Sequence, residues 1–147
     1  MAEPIPIRQL TTHAAPDGVT VVDLPMTAHD RRRVRRLVDA PDGVQFALEL
    51  ATGTVLVPGQ VLYQHAGLAY VVSAALEDVL VAAPRDLDEA ARVGHLIGNL
   101  HRDIEARDGE VIALADAALA DRLRRAHVPF TTDRRPFHGR APGEHAH

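Results

Sequence analysis

The chain of 147 residues contains no cysteine, no lysine and no tryptophan. The lack of cysteine excludes disulfides, thiolate zinc sites, iron–sulfur ligation and cysteine nucleophiles. The lack of lysine excludes a lysine nucleophile or Schiff base. Any metal ion must therefore be bound by imidazole and carboxylate groups.

Aromatic residues make up only 3% of the chain, and the formal net charge is −4 with histidine neutral. A surface that stacks nucleobases has little to build on, and no overall positive field favours nucleic acid or an anionic membrane. No stretch approaches the roughly 18 apolar residues of a membrane span, and the N-terminus lacks a secretory pattern. We therefore expect a soluble cytoplasmic protein that binds neither nucleic acid nor membrane.

Residues 1–75 have the pattern of a small all-β domain. Short apolar segments are separated by turn signals such as Asp42-Gly43 and Pro58-Gly59. The predicted strands are residues 19–24, 46–50, 55–57, 61–63 and 68–72. This spacing favours a small barrel or sandwich, and the titratable residues of this half do not form the pattern of a catalytic centre.

The arginine-rich run at residues 31–36 is the one concentrated charge in the chain. If the run is a strand, alternate side chains face opposite sides and most of them lie along a solvated sheet edge. A surface for an acidic protein partner is the second interpretation. A nucleic-acid surface is the weakest interpretation, because no aromatic residues interleave with the arginines.

After residue 75 the periodicity predicts a ferredoxin-like βαββαβ domain over residues 76–132, which makes the chain an α+β protein. The predicted elements are a strand at 78–82, a helix at 87–100, strands at 103–107 and 111–114, a helix capped by Asp116, and a strand at 129–132. Asp108-Gly109 predicts a two-residue hairpin turn between the middle strands. This fold hosts too many functions to identify one.

The candidate metal site begins at His101, which closes the predicted helix in the motif GHLIGNLH at residues 94–101. The spacing from Ile97 predicts that His101 lies on the apolar stripe of the helix. His95 is rotated from His101 by about 240° in a helix that turns about 100° per residue, so one helix cannot bring both imidazoles onto one ion. Further ligands must come from a second copy across a two-fold axis or from a mobile histidine-rich segment. We keep His95 as a secondary candidate.

Residues 133–147 are such a segment. They have no apolar periodicity and carry His138, His145 and His147, which predicts a flexible histidine-containing tail. A lone helical histidine is more often hydrogen-bonded than metal-bound, but the tail favours a metal site. The scattered histidines are interpreted as surface or hydrogen-bonded residues: His13, His29, His65 and His127.

Together these features resemble the family of the urease accessory protein UreE, the nickel metallochaperones. The motif GHLIGNLH is similar to the family's helix motif ending in Gly-Asn-x-His. The other similar features are the arginine-rich stretch followed by Asp42-Gly43, the strand-turn segment 48–62, the strand entry at 75–79 and the tail. The resemblance covers essentially the whole chain.

The resemblance implies a non-enzymatic homodimer with an N-terminal domain of peptide-binding type and a C-terminal domain that binds Ni²⁺. It implies that His101 meets its dimer mate at the metal and that His145 and His147 add ligands, and it leaves open whether His138 joins them. The implied partners are the urease accessory GTPase UreG and the urease apoprotein maturation complex. Ligand chemistry alone does not select nickel, because Zn²⁺ and Cu²⁺ also bind imidazole in vitro.

Two other functions remain as alternatives. The first is a ferredoxin-like dimeric regulatory or protein-interaction module whose tail histidines are incidental. The second is a hydrolase, since Asp103 and Glu105 follow His101 closely. Their alternating strand positions and the lack of an evident nucleophile favour ordinary strand residues.

Overall fold

The computed structural model describes residues 2–11 and 13–141. The chain divides into two compact units, Met1–Ala74 and Ala75–His147. Its described residues form two α-helices and three β-sheets, so the α+β class is confirmed. Neither of these helices has the length and apolar character needed to cross a membrane.

The first unit contains two three-stranded sheets. Its strands are β1 Ile5–Ile7, β2 Thr20–Met26, β3 Arg35–Asp39, β4 Gln45–Glu49, β5 Val61–His65 and β6 Leu68–Ala74. The strand orders are β1-β4-β3 and β2-β6-β5. In each sheet one pair is parallel, β1 with β4 and β2 with β6, and the other pair is antiparallel.

The two sheets of the first unit share one core. Phe46 of β4 lies with its ring centroid 5.5 Å from that of Tyr63 and 4.9 Å from that of Tyr70, which belong to the other sheet. The hydroxyl of Tyr70 donates a 2.6 Å hydrogen bond to Asp42, and this bond lowers the pKa of the Asp42 carboxyl. Three of the five aromatic residues of the chain thus lie where these two sheets meet.

Residues 55–57, which the sequence predicts as a strand, form a loop instead. Leu56 is buried, and its N–H donates a 2.8 Å hydrogen bond to the carbonyl oxygen of Arg31. The apolar pattern therefore reflects a loop that packs into the core and not a strand of a sheet.

The arginine-rich run is only partly a strand edge. A 3₁₀ turn occupies Asp30–Arg32, and β3 begins at Arg35. Arg31 is 2% exposed and donates a 2.7 Å hydrogen bond from Nη1 to the carbonyl oxygen of Met26. The interpretation as a mostly solvated edge is wrong for Arg31, whose guanidinium is a buried structural donor.

The second unit has the predicted element order strand, helix, strand, strand, helix, strand. Its elements are β7 Leu76–Ala82, α1 Leu87–Asn99, β8 Glu105–Arg107, β9 Glu110–Leu114, α2 Ala117–Arg125 and β10 Thr131–Pro136. The strand order is β10-β7-β9-β8, and every neighbouring pair is antiparallel. Asp108 and Gly109 connect β8 to β9 with φ angles of 52° and 77°, as a tight hairpin requires.

Both helices begin at an aspartate and pack one apolar stripe into the core. The Asp86 carboxylate accepts a 2.8 Å hydrogen bond from the N–H of Glu89, and that of Asp116 accepts one of 2.9 Å from the N–H of Leu119. These are N-caps, as the sequence predicts for Asp116. The stripes bury four aliphatic side chains fully: Val93, Ile97, Leu119 and Leu123.

The last strand extends further than predicted. Asp133 pairs with Val79 and Pro136 pairs with Leu76, so residues 133–136 belong to the sheet and not to a tail that begins at residue 133. The strand β10 is an edge strand with mostly exposed polar side chains. Its sequence therefore lacks the apolar alternation by which a half-buried strand is recognised.

Candidate metal site

Helix α1 ends in a turn that places His101 just beyond the helix. The backbone N–H of His101 donates a 2.9 Å hydrogen bond to the carbonyl oxygen of Gly98. The backbone N–H of Arg102 donates a 3.3 Å hydrogen bond to the carbonyl oxygen of Ile97. These two bonds form the Schellman motif, with Leu100 as the C-cap. His101 has a φ of 57°, in the left-handed region where glycine is the usual residue. For a residue other than glycine, this left-handed conformation costs about 1 kcal/mol of free energy.

The left-handed turn carries His101 out of the helix, and its side chain is exposed. The buried stripe of α1 ends with Ile97. The prediction that His101 lies on the apolar stripe is therefore wrong, because it assumed regular helix geometry through residue 101. His95 is also exposed and lies on α1 itself.

The loop after His101 is held by the start of α2. Arg102 Nη1 lies 3.1 Å from Asp116 Oδ2, and the same carboxylate caps α2 through the N–H of Leu119. The cap hydrogen bond first, and the charge of Arg102 second, lower the pKa of Asp116. Asp116 therefore remains ionised at neutral pH and ties the residue that follows His101 to the second helix.

His138 lies after β10 and contacts the strand that follows His101. Its Nδ1 is 3.1 Å from Glu105 Oε1, and its backbone N–H donates to Glu105 Oε2 at 3.3 Å. Because an ionised carboxylate only accepts hydrogen bonds, this contact favours the tautomer with the proton on Nδ1, which leaves Nε2 as the nitrogen available to a metal. A carboxylate that orients an imidazole in this way is common around metal-binding histidines. The geometry is therefore compatible both with a ligand and with a purely structural contact.

Two of the residues around His138 are buried, although His138 itself is exposed. Phe137 is 0% exposed, and Ala141 is buried. The N–H of Arg140 donates to Asp103 Oδ2. We call residues 137–141 the C-terminal anchor.

The predicted ligands His145 and His147 lie outside the described residues. Within residues 2–11 and 13–141, no three His, Asp or Glu side chains lie in an arrangement that could hold a metal ion. The structure brings His138 to Glu105, the first residue of the strand that follows His101, and leaves His95 on the helix.

Sequence reasoning missed the C-terminal anchor. It treated Asp103 and Glu105 as ordinary strand residues, whereas both accept hydrogen bonds from residues 138–140. One signal was available, because Phe137 is a single large apolar residue in an otherwise polar segment. Such a residue indicates local burial.

Two family models match the chain. The model described as "UreE urease accessory protein, N-terminal domain" matches residues 6–75, and the one described as "UreE urease accessory protein, C-terminal domain" matches residues 77–147. The chain belongs to the UreE urease accessory protein family. This finding confirms the resemblance seen in the sequence motifs.

Individual relatives match over most of the chain. The urease accessory protein UreE of Deinococcus radiodurans is 53% identical over 124 residues, which cover 84% of this chain and 80% of that protein. The UreE of Synechococcus sp. strain JA-3-3Ab is 55% identical over 123 residues, with coverage of 83% and 82%. The UreE of Burkholderia orbicola is 36% identical over 128 residues and is covered to 61% of its length.

UreE proteins are accessory chaperones and not enzymes. The prediction that this chain is not an enzyme is therefore confirmed, and the hydrolase alternative is withdrawn. Family membership supports a role in urease maturation.

Proposed function

We propose that the protein is a nickel metallochaperone, a cytoplasmic homodimer that delivers Ni²⁺ during assembly of the urease active site. In this proposal the second unit is a ferredoxin-like metal-binding domain, and the first is a peptide-binding domain. The receiving partners are the accessory GTPase UreG and the urease apoprotein. The ion is cargo, so the site has to release it as well as bind it.

Membership of the UreE family carries the proposal. The motif GHLIGNLH at residues 94–101 directs it to His101. His101 is exposed and left-handed, but His127 shares both features, so the motif and not the backbone conformation selects His101. We assign His101 as the principal ligand, shared with His101 of a second copy.

The tail histidines can complete the ligand set. The N–H of Arg140 is bonded to Asp103, two residues after His101. His145 follows Arg140 by five residues, and an extended chain covers about 3.5 Å per residue, or about 17 Å over five. His145 and His147 therefore stay proposed ligands. His95 stays a prediction as an auxiliary ligand.

Ligand chemistry agrees with a carrier. Neutral imidazole is a borderline ligand that binds nickel without the tight hold of a thiolate cage. The same ligands bind Zn²⁺ and Cu²⁺ in vitro, with Cu²⁺ expected to bind most tightly. The choice of nickel therefore rests on the family and not on the donor atoms.

Calorimetric Ni²⁺ titration with parallel measurement of oligomer mass tests the proposal. The intact protein should bind about one high-affinity ion per two chains, and a His101→Ala variant should lose that class of site. His127→Ala is the matched control, because His127 occupies the equivalent backbone position at the end of α2 with φ 56°. If His101→Ala binds nickel as the parent does, His101 is structural and the mechanism proposed here fails. Deletion of residues 140–147 tests the regulatory-module alternative, in which nickel stoichiometry does not change.

A further inference from the structure

We propose that the arginine-rich run of the first unit binds an acidic segment of a partner protein, with Arg33 and Arg36 as the residues that meet its carboxylates. The acidic segment is then the class of peptide taken by the peptide-binding domain, and this role rests on the proposed function of that domain. Peptide binding at the run needs no nickel, so it can hold or fail apart from the carrier function.

The backbone of the run is fixed by hydrogen bonds on both sides. The N–H of Arg31 donates a 3.0 Å bond to the carbonyl oxygen of Thr27, and the carbonyl oxygen of Arg31 accepts a 2.8 Å bond from the N–H of Leu56. The N–H of Arg33 donates a 3.0 Å bond to the carbonyl oxygen of Asp30. Because this backbone is already ordered, a bound segment does not have to immobilise it, which lowers the entropy cost of binding.

Arg36 carries a buried nitrogen, its Nε, that has no hydrogen-bond partner among the residues that the structure describes. Arg36 pairs with the buried Leu48 of β4, so its side chain starts on the core face of the sheet, and the residue is half-buried. Burial lowers the pKa of the Arg36 guanidinium, while Asp30 raises it and Arg33 lowers it further. A buried donor without a partner destabilises a fold, and perturbed charged groups are concentrated at binding sites.

Positive charge exceeds negative charge around Arg36. Residues 30–36 contain five arginines and one aspartate, which is a net charge of +4 in a chain whose formal net charge is −4. The single acid is Asp30, whose Oδ1 lies 3.5 Å from Arg33 Nη1, and both side chains of this pair are partly exposed. Such a pair is weak. A half-buried cation beside it attracts an added anion more strongly than a hydrated cation does, because less water screens the two charges.

Carboxylates fit this surface better than the phosphates of a nucleic acid. Guanidinium groups bind both anions, but single-stranded nucleic acid also stacks its bases on exposed aromatic rings. Phe46 and Tyr70 of this unit are 0% and 3% exposed, and the ring of Tyr63 packs against both of them. The negative charge of the whole chain also disfavours a polyanion as long as a nucleic acid.

Fluorescence anisotropy with a labelled peptide of six glutamates tests the site on the full chain without metal. The parent should bind at low ionic strength, and its affinity should fall about fivefold in roughly 0.2 M salt, which screens exposed charges. Arg33→Gln and Arg36→Met should each lower the affinity about fivefold. Arg35→Gln is the matched control, because Arg35 lies opposite Glu49 on the other face of β3, and its affinity should stay within about twofold of the parent.

Urea unfolding separates a ligand role of Arg36 from a structural one. Arg36→Met keeps an unbranched apolar stem and removes the donor that has no partner, so it should unfold at the same urea concentration as the parent or at a higher one. An unfolding midpoint clearly below that of the parent would make Arg36 a structural residue and overturn its assignment.

Three binding results would also overturn the inference. The first is a parent protein that does not bind the glutamate peptide at low salt, and the second is an equal loss of affinity in Arg35→Gln. The third is tighter binding of an oligothymidylate of the same net charge, which would make the run a nucleic-acid surface. Arg36→Met should bind nickel as the parent does. Failure of the carrier proposal is a separate result, namely nickel binding that does not depend on His101.

Discussion

His101 and His127 occupy the same position at the ends of the two helices. Each lies one residue after its C-cap in a Schellman motif, with φ angles of 57° and 56°. The backbone N–H of His127 donates a 3.0 Å hydrogen bond to the carbonyl oxygen of Arg124. The backbone N–H of His101 donates the corresponding 2.9 Å bond to the carbonyl oxygen of Gly98. Among the residues that the structure describes there are thus two equivalent left-handed histidines, and we propose a metal role for only one of them.

Glycine at these two positions separates stability from metal binding. His101→Gly and His127→Gly should each raise the free energy of unfolding by about 1 kcal/mol, because glycine adopts the left-handed conformation without a Cβ penalty. Urea unfolding at pH 8 and at one protein concentration measures both changes in the free energy of unfolding. Only His101→Gly should lose nickel binding. Equal nickel affinity in the two variants would contradict the assignment of His101.

Nickel binding should depend steeply on pH. Imidazole binds a metal only when neutral, and an unperturbed imidazole has a pKa of about 6.5. Lowering the pH from 7.5 to 5.5 should cost about tenfold in affinity per imidazole ligand, or about 100-fold for two. Titration at the two pH values, with circular dichroism to show that the fold persists, measures this. A change in nickel affinity of less than threefold between the two pH values would argue against imidazole ligands.

The N-cap of α2 should make the free energy of unfolding depend on pH in the acid range. The folded-state pKa of Asp116 is lowered by the N–H of Leu119 and then by Arg102. Its stabilisation is therefore complete above the unfolded carboxyl pKa of about 3.9, and it is lost as the pH falls through the lower folded value. Asp116→Ala should cost about 1 kcal/mol at pH 7. The difference in the free energy of unfolding between Asp116→Ala and the parent should be smaller at pH 3 than at pH 7.

The control for this cap is Asp121→Ala on the same helix. Asp121 is exposed and forms a 3.0 Å ion pair with Arg125 four residues on. Such a pair contributes only about 0.3–0.5 kcal/mol. If Asp121→Ala lowers the free energy of unfolding as much as Asp116→Ala does, the cap contributes no more than a surface ion pair.

The burial of Phe137 predicts that part of the supposed tail is essential to the fold. Phe137→Ala should lower the free energy of unfolding by about 3 kcal/mol or more, as expected for a fully buried aromatic side chain. Arg140→Ala, which retains the backbone N–H bonded to Asp103, should change it by less than about 0.5 kcal/mol. Chemical denaturation measures both. A Phe137→Ala protein as stable as the parent would contradict the packing of the anchor.

Local signals in the sequence were sufficient for much of the fold. Asp116 was recognisable as a cap and Asp108-Gly109 as a hairpin turn, because both act on backbone groups within a few residues. The order of helices and strands in the second unit followed from apolar periodicity, which each element carries within itself. The proposed role of His101 also rests on its sequence motif and stays a prediction.

Only the tertiary structure decided where the chemical groups lie. A single left-handed residue moved His101 off the apolar stripe, and periodicity cannot reveal a change in one φ angle. The end of β10 at Pro136 depends on pairing with β7, more than fifty residues earlier in the chain. Glu105 and His138 are 33 residues apart in the chain, and β8 and β10 lie at opposite edges of the sheet, so only the path of the chain after β10 brings the two residues together. Contacts over such separations leave no periodic pattern in the sequence, because they depend on the packing of whole elements.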